Sequence, residues 1–78
     1  MRKGLQREER MNEDVLNTSV RRFLKTVGVT SQREIEKAVR AAVASGKLKG
    51  NEELKARMVL TIEQAGLTHK VDGTIDLA

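Results

Sequence analysis

Hydrophobic residues recur along this chain with two different periods, and the period changes once. Val15, Leu16, Val20, Phe23, Leu24 and Val27 fall on one side of a 3.6-residue repeat, the stripe of an amphipathic helix. Asn12 precedes them as a cap, and Glu13 and Asp14 stand where the helix dipole favours negative charge. The pattern predicts a helix from about Glu13 to Val27, stopped by Gly28, with Val29 as the apolar contact beyond the stop. Ser31 and Glu34 then spell an S-x-x-E capping box. Ile35, Ala38, Val39, Ala42 and Val43 form a second stripe, and Gly46 stands where a left-handed residue closes a helix. The reading is two helices joined by Gly28-Val29-Thr30 alone, a link so short that they are neighbours in space.

After the turn-rich Lys47-Leu48-Lys49-Gly50-Asn51 the period drops to two. Leu54, Ala56, Met58, Leu60 and Ile62 alternate with Lys55, Arg57, Val59, Thr61 and Glu63; Leu67, His69, Val71, Gly73, Ile75 and Leu77 resume the alternation. These are two half-buried antiparallel strands. The apolar positions are even-numbered in the first strand and odd-numbered in the second. They share a face only if the loop has an even number of residues. Glu63-Gln64-Ala65-Gly66 suits a four-residue loop with glycine last. That register sets Ile62 opposite Leu67, Leu60 opposite His69, Met58 opposite Val71 and Leu54 opposite Ile75. On the other face Thr61 meets Thr68 and Arg57 meets Asp72, both favourable cross-strand pairs. The predicted architecture is α+β, in the order α-α-β-β, with two N-terminal helices packed on a C-terminal hairpin.

Seventy-eight residues make one small domain, and a chain of that length is marginal in stability. Residues 1–10 carry one large apolar side chain after the initiator, Leu5, and read as a disordered arm that adds nothing to stability. The domain is residues 11–78. With no cysteine and one histidine, neither a disulfide nor a structural zinc site is available. No apolar run approaches the roughly 20 residues of a membrane span, and no signal-peptide pattern opens the chain. The expectation is a cytoplasmic protein with no membrane contact, no cofactor and no evident small-molecule ligand.

The net charge of +4 is concentrated in residues 21–57, which hold ten Lys or Arg against four Glu. Arg33, Lys37 and Arg40 fall on one line of the second helix with Ala44, opposite Ile35 and Ala42; Arg22 and Lys25 add charge to the first. These five are the candidate contacts for a nucleic acid or another anion. Set against that reading, Glu36 lies one turn from both Arg33 and Arg40 and compensates part of the stripe. A helix-turn-helix with the hairpin as its wing would use this face. Its first buried aliphatic would be expected at Glu34, yet Ile35 comes one residue late. No Asn or Gln that could read adenine lies on that face, and Gln32 sits at the helix start. The chain also lacks the aromatic platforms of RNA binding by stacking. Catalysis is not expected. His69, the lone imidazole, reads as a residue at the edge of the apolar face, and Glu52-Glu53 as solvated carboxylates.

Read from Met11, the chain resembles a family of small uncharacterised bacterial proteins, a domain of unknown function. The resemblance is carried by residues 11–15, Phe23-Leu24-Lys25 and the run from Val27 to Arg40. It continues through Ser45-Gly46-Lys47-Leu48-Lys49-Gly50-Asn51-Glu52 and Leu60-Thr61-Ile62-Glu63. It covers nearly all of residues 11–78 and implies no activity, cofactor or site residue. The expected role is a non-enzymatic interaction or structural protein that self-associates as a homodimer through its C-terminal strand, making a four-stranded sheet. The alternative is a winged-helix-like nucleic-acid binder. Ile75→Pro is expected to break such a dimer by removing a ladder donor.

Overall fold

The computed structural model describes residues 11–78, so the expectation of a disordered arm over residues 1–10 lies outside the described residues. The described chain holds one helix, α1 (Glu13–Ala44), and two strands, β1 (Glu53–Ile62) and β2 (Leu67–Asp76), joined by a 3-10 turn over Glu63–Ala65. It divides into two units, one ending at Ala38 and one covering Val39–Ala78.

The start of α1 is as the sequence predicts. The Asn12 side-chain oxygen accepts from the Asp14 and Val15 backbone N–H groups at 3.0 and 3.1 Å, covering two of the donors a helix start leaves open. The end is also as predicted. Gly46 adopts a φ of 84°. Its N–H reaches the Val43 carbonyl at 3.1 Å, and that of Lys47 the Ala42 carbonyl at 2.8 Å. That is the doubly bonded Schellman stop.

The expected break between two helices does not exist. Residues 28–31 are helical, and α1 runs 32 residues without interruption. Gly28 is not among the glycines with positive φ, which are Gly46, Gly50 and Gly66. The Thr30 hydroxyl donates back to the Thr26 carbonyl at 2.7 Å, and the Thr26 hydroxyl to that of Arg22 at 3.2 Å. The link residues are thus bonded as helix interior. The physical reason is a matter of magnitudes. Keeping a glycine inside a helix costs about 1 kcal/mol relative to alanine. Breaking the helix strands up to four carbonyls and four N–H groups that a three-residue link cannot satisfy. A break is favourable only if it lets two stripes bury against each other. With alanine at two of the five positions of the second stripe, Ala38 and Ala42, that return is reduced. The chain contains no proline to force the issue.

Two helices packed on one face of the hairpin are therefore replaced by one helix, and none of the described residues is buried. In α1, Val15 is 59% exposed and Phe23 and Leu24 are 52% exposed. No described helix is long and apolar enough to cross a membrane.

The hairpin has the predicted register throughout, from Ile62 opposite Leu67 to Glu53 opposite Asp76. Gly66 closes the turn at φ 64°, ψ 30°, its N–H bonded to the Glu63 carbonyl at 3.0 Å. A left-handed residue is needed there, and glycine takes it without a steric cost. Leu77 N–H donates to the Glu52 carbonyl at 3.1 Å, so these opposed residues form a hydrogen-bonded pair. Bonded and non-bonded pairs alternate along an antiparallel ladder. The pairs of the apolar face, Leu54–Ile75 among them, are then the bonded ones. Arg57–Asp72 and Thr61–Thr68 are the closer, non-bonded ones. The geometry agrees: Arg57 Nε lies 2.6 Å from Asp72 Oδ1. Both side chains are well exposed, which limits the pair to about 0.2–1 kcal/mol.

One consequence overturns the expectation for Ile75→Pro. The Ile75 N–H is spent on Leu54 inside the hairpin. The β2 groups that face away from β1 belong to Thr68, Lys70, Asp72, Thr74 and Asp76.

Candidate functional site

Five cations were singled out by the sequence, and one helix carries all of them: Arg22, Lys25, Arg33, Lys37 and Arg40. All five are exposed. At 100° per residue Arg22, Arg33, Lys37 and Arg40 stay within about 60° of one another, along about 27 Å of axis, while Lys25 lies further round. Continuity of α1 thus joins two short basic patches into one ridge. Gln32 donates to the Glu36 carboxylate at 3.0 Å, and Glu36 is half-buried on the flank of this ridge. The same continuity removes the helix-turn-helix. With no turn at residues 28–31 there is no separate second helix to enter a groove, so the winged-helix geometry has no counterpart in α1.

The expectation for a solvated ridge of this kind is non-specific contact with duplex DNA, through phosphates alone. The expected dissociation constant is about 10⁻⁴–10⁻⁶ M near physiological salt, with a steep salt dependence. Fluorescence anisotropy with labelled duplexes of unrelated sequence measures it. Sub-micromolar binding to one sequence, lost on Arg33→Ala, would establish a specific nucleic-acid interface.

His69 lies on β2 opposite Leu60, on the apolar face of the hairpin and exposed. Among the described residues no group of three or more His, Asp or Glu is placed to hold a metal ion. An open depression on the hairpin is lined by Lys55, Ala56, Arg57, Asp72, Gly73 and Thr74. Within it Ala56 and Gly73 face each other, on the opposite side of the sheet from the Arg57–Asp72 ion pair.

Glu52 has a role that sequence reasoning missed. Its carboxylate accepts from the Lys49 N–H at 2.8 Å and the Gly50 N–H at 3.0 Å, while its own carbonyl accepts from Leu77. One residue therefore ties the loop to the open end of the hairpin. The backbone N–H groups of Lys49 and then Gly50 hold its pKa below the usual carboxylate value. The signal available in the sequence was Gly50-Asn51-Glu52, a carboxylate two residues after a glycine free to take positive φ. A depressed carboxylate pKa stabilises the fold above the ordinary carboxylate range, and that contribution fades as pH falls through the folded-state value. Glu52→Gln is expected to lower the melting temperature at pH 7 and to flatten its fall between about pH 5 and 3. Thermal melts across that range check it. An unchanged acid limb would place the loop's stability elsewhere.

A single amphipathic helix followed by an antiparallel hairpin defines a small α+β helix–hairpin protein. The chain belongs to a family of unknown function (DUF6494), whose model matches residues 11–78. No curated protein and no solved structure matches it.

Proposed function

We propose that this protein is a small, non-enzymatic interaction protein of the cytoplasm that self-associates as a homodimer. The observation that carries the reading is that none of the described residues is buried. A two-stranded hairpin is marginal in water, and a helix gains most of its stability from burying its apolar face. Yet the residues are patterned for burial: Val15, Leu16, Val20, Phe23 and Leu24 on α1, and Met58, Ile62, Leu67 and Val71 on the hairpin, are all large, apolar and exposed. Patterning that one copy does not use is consistent with a second chain completing the fold. Contiguous apolar patches of more than a few hundred Å² mark interaction surfaces in soluble proteins.

The C-terminal strand is the surface we assign to the contact. β1 has three half-buried residues, Leu54, Ala56 and Leu60, whereas every residue of β2 except Ile75 is exposed. Joining two β2 edges makes a four-stranded sheet with one apolar face. Multi-angle light scattering at tens of micromolar tests the reading. The expected mass is about twice the 8.7 kDa of one chain. A mass of one chain that does not change on concentration would refute it.

A further inference from the structure

We infer that β2 pairs with β2 of a second copy in one register, antiparallel and centred on Val71; this rests on the self-association proposed above and names its geometry. Thr68, Lys70, Asp72, Thr74 and Asp76 present their backbone N–H and carbonyl groups away from β1, because the opposite parity is engaged with it. A two-fold axis perpendicular to the sheet keeps the apolar face continuous across the new contact. Residues opposite each other must then share a face, so only every second register is allowed.

Two of the allowed registers give the longest overlap. The first is centred on Asp72. It sets two carboxylates against each other at the axis, which is destabilising. The second is centred on Val71, and it opposes no like charges. On the polar face Lys70 lies opposite the partner's Asp72, and Asp72 opposite the partner's Lys70. Thr68 and Thr74 meet in the same reciprocal way. On the apolar face Val71 meets its own copy, and Leu67 meets the partner's Ile75. His69 falls opposite the partner's Gly73. The shift the other way, centred on Lys70, opposes two lysines and shortens the overlap.

Two residues without a role in the hairpin acquire one here. A lysine in the middle of an edge strand ordinarily blocks pairing, but an aspartate two residues on makes this one self-complementary. Lys70 faces Val59 across β1, with no acidic residue in that pair. Glycine inside a strand weakens it and marks close approach by a neighbour. Around Gly73 an added Cβ would meet nothing within 4 Å in the single chain. Across the axis it would meet the imidazole of His69.

The chain has no native cysteine, so single cysteines report the register directly. The full chain is prepared as Val71→Cys, Asp72→Cys and Lys70→Cys, oxidised at tens of micromolar and run on a non-reducing gel. In the inferred register residue 71 faces its own copy in a non-bonded pair, about 4.5 Å between Cα atoms, within disulfide reach. Residues 70 and 72 each lie about 8 Å from their own copy, beyond it. Val71→Cys is expected to form covalent dimer and the other two variants not. In a chain without cysteines, Lys70→Glu is expected to raise the dissociation constant about tenfold by opposing Asp72. Preferential linking of Asp72→Cys or Lys70→Cys would overturn the register. So would a two-chain mass, measured in reductant, for a Val71→Cys protein that does not link. A one-chain mass in reductant would refute self-association itself, and the register with it.

Discussion

Val29→Pro is expected to collapse the helical signal of this protein. In a continuous α1 the substitution removes an interior hydrogen bond and drives the proline ring into the preceding turn, costing about 3 kcal/mol or more. A helix with no buried residue has little else to hold it. Circular dichroism at 222 nm should show a large loss of ellipticity and a lower melting temperature. Gly28→Ala is the companion test because its sign depends on the architecture. At a helix-interior φ, alanine is better than glycine by about 1 kcal/mol and should raise the melting temperature. At a left-handed stop between two helices the same change would lower it, by strain on a side chain with positive φ. A destabilising Gly28→Ala together with a harmless Val29→Pro would restore the two-helix reading.

Thr74→Pro is expected to abolish self-association while leaving the hairpin intact. The Thr74 N–H points away from β1, so proline there removes no bond within the chain. Proline is tolerated at such edge positions. In the proposed dimer the same N–H is a ladder donor to the partner strand, and its loss, with the ring in the way, breaks the contact. Light scattering should move from two chains to one, with the β signal in circular dichroism retained. Ile75→Pro should behave differently. It deletes the bond to Leu54, so the hairpin itself loosens and the melting temperature falls whatever the oligomeric state. An unchanged two-chain mass for Thr74→Pro would move the interface away from the β2 edge.

Val59 and Arg57 show how the two faces of the hairpin divide its work. The apolar even positions of β1 carry the bonded pairs, and the odd positions carry the closer side-chain contacts, among them the ion pair to Asp72. Asp72 is thereby held by Arg57 on one side while its other flank remains available to the edge. Substituting Asp72 perturbs both relations at once, which makes Lys70 the better site for a charge test.

The sequence alone determined the hairpin down to its register, the four-residue turn, the Asn12 cap and the Gly46 stop. These are local matters. Alternation with period two, loop parity and the steric licence of glycine each act within a few residues of one another, and each has one low-energy solution. Continuity of α1 was not legible. Gly28, Val29, Thr30 and Ser31 satisfy the rules for a stop, a contact and a cap, and they also fit inside a helix with their hydroxyls bonded back to earlier carbonyls. A 3.6-residue period looks the same in both cases, and only the balance between stranded backbone groups and surface buried by a fold-back decides. Tertiary structure also decided what the charges mean. It merged Arg22, Arg33, Lys37 and Arg40 into one ridge, removed the turn that a recognition helix requires, and turned Glu52 from a solvated carboxylate into the tie between a loop and the hairpin's open end. Which groups of β2 face outward is likewise a property of the paired ladder. Parity along a single strand is ambiguous until one hydrogen bond, that from Leu77 to Glu52, sets it for every residue of the edge.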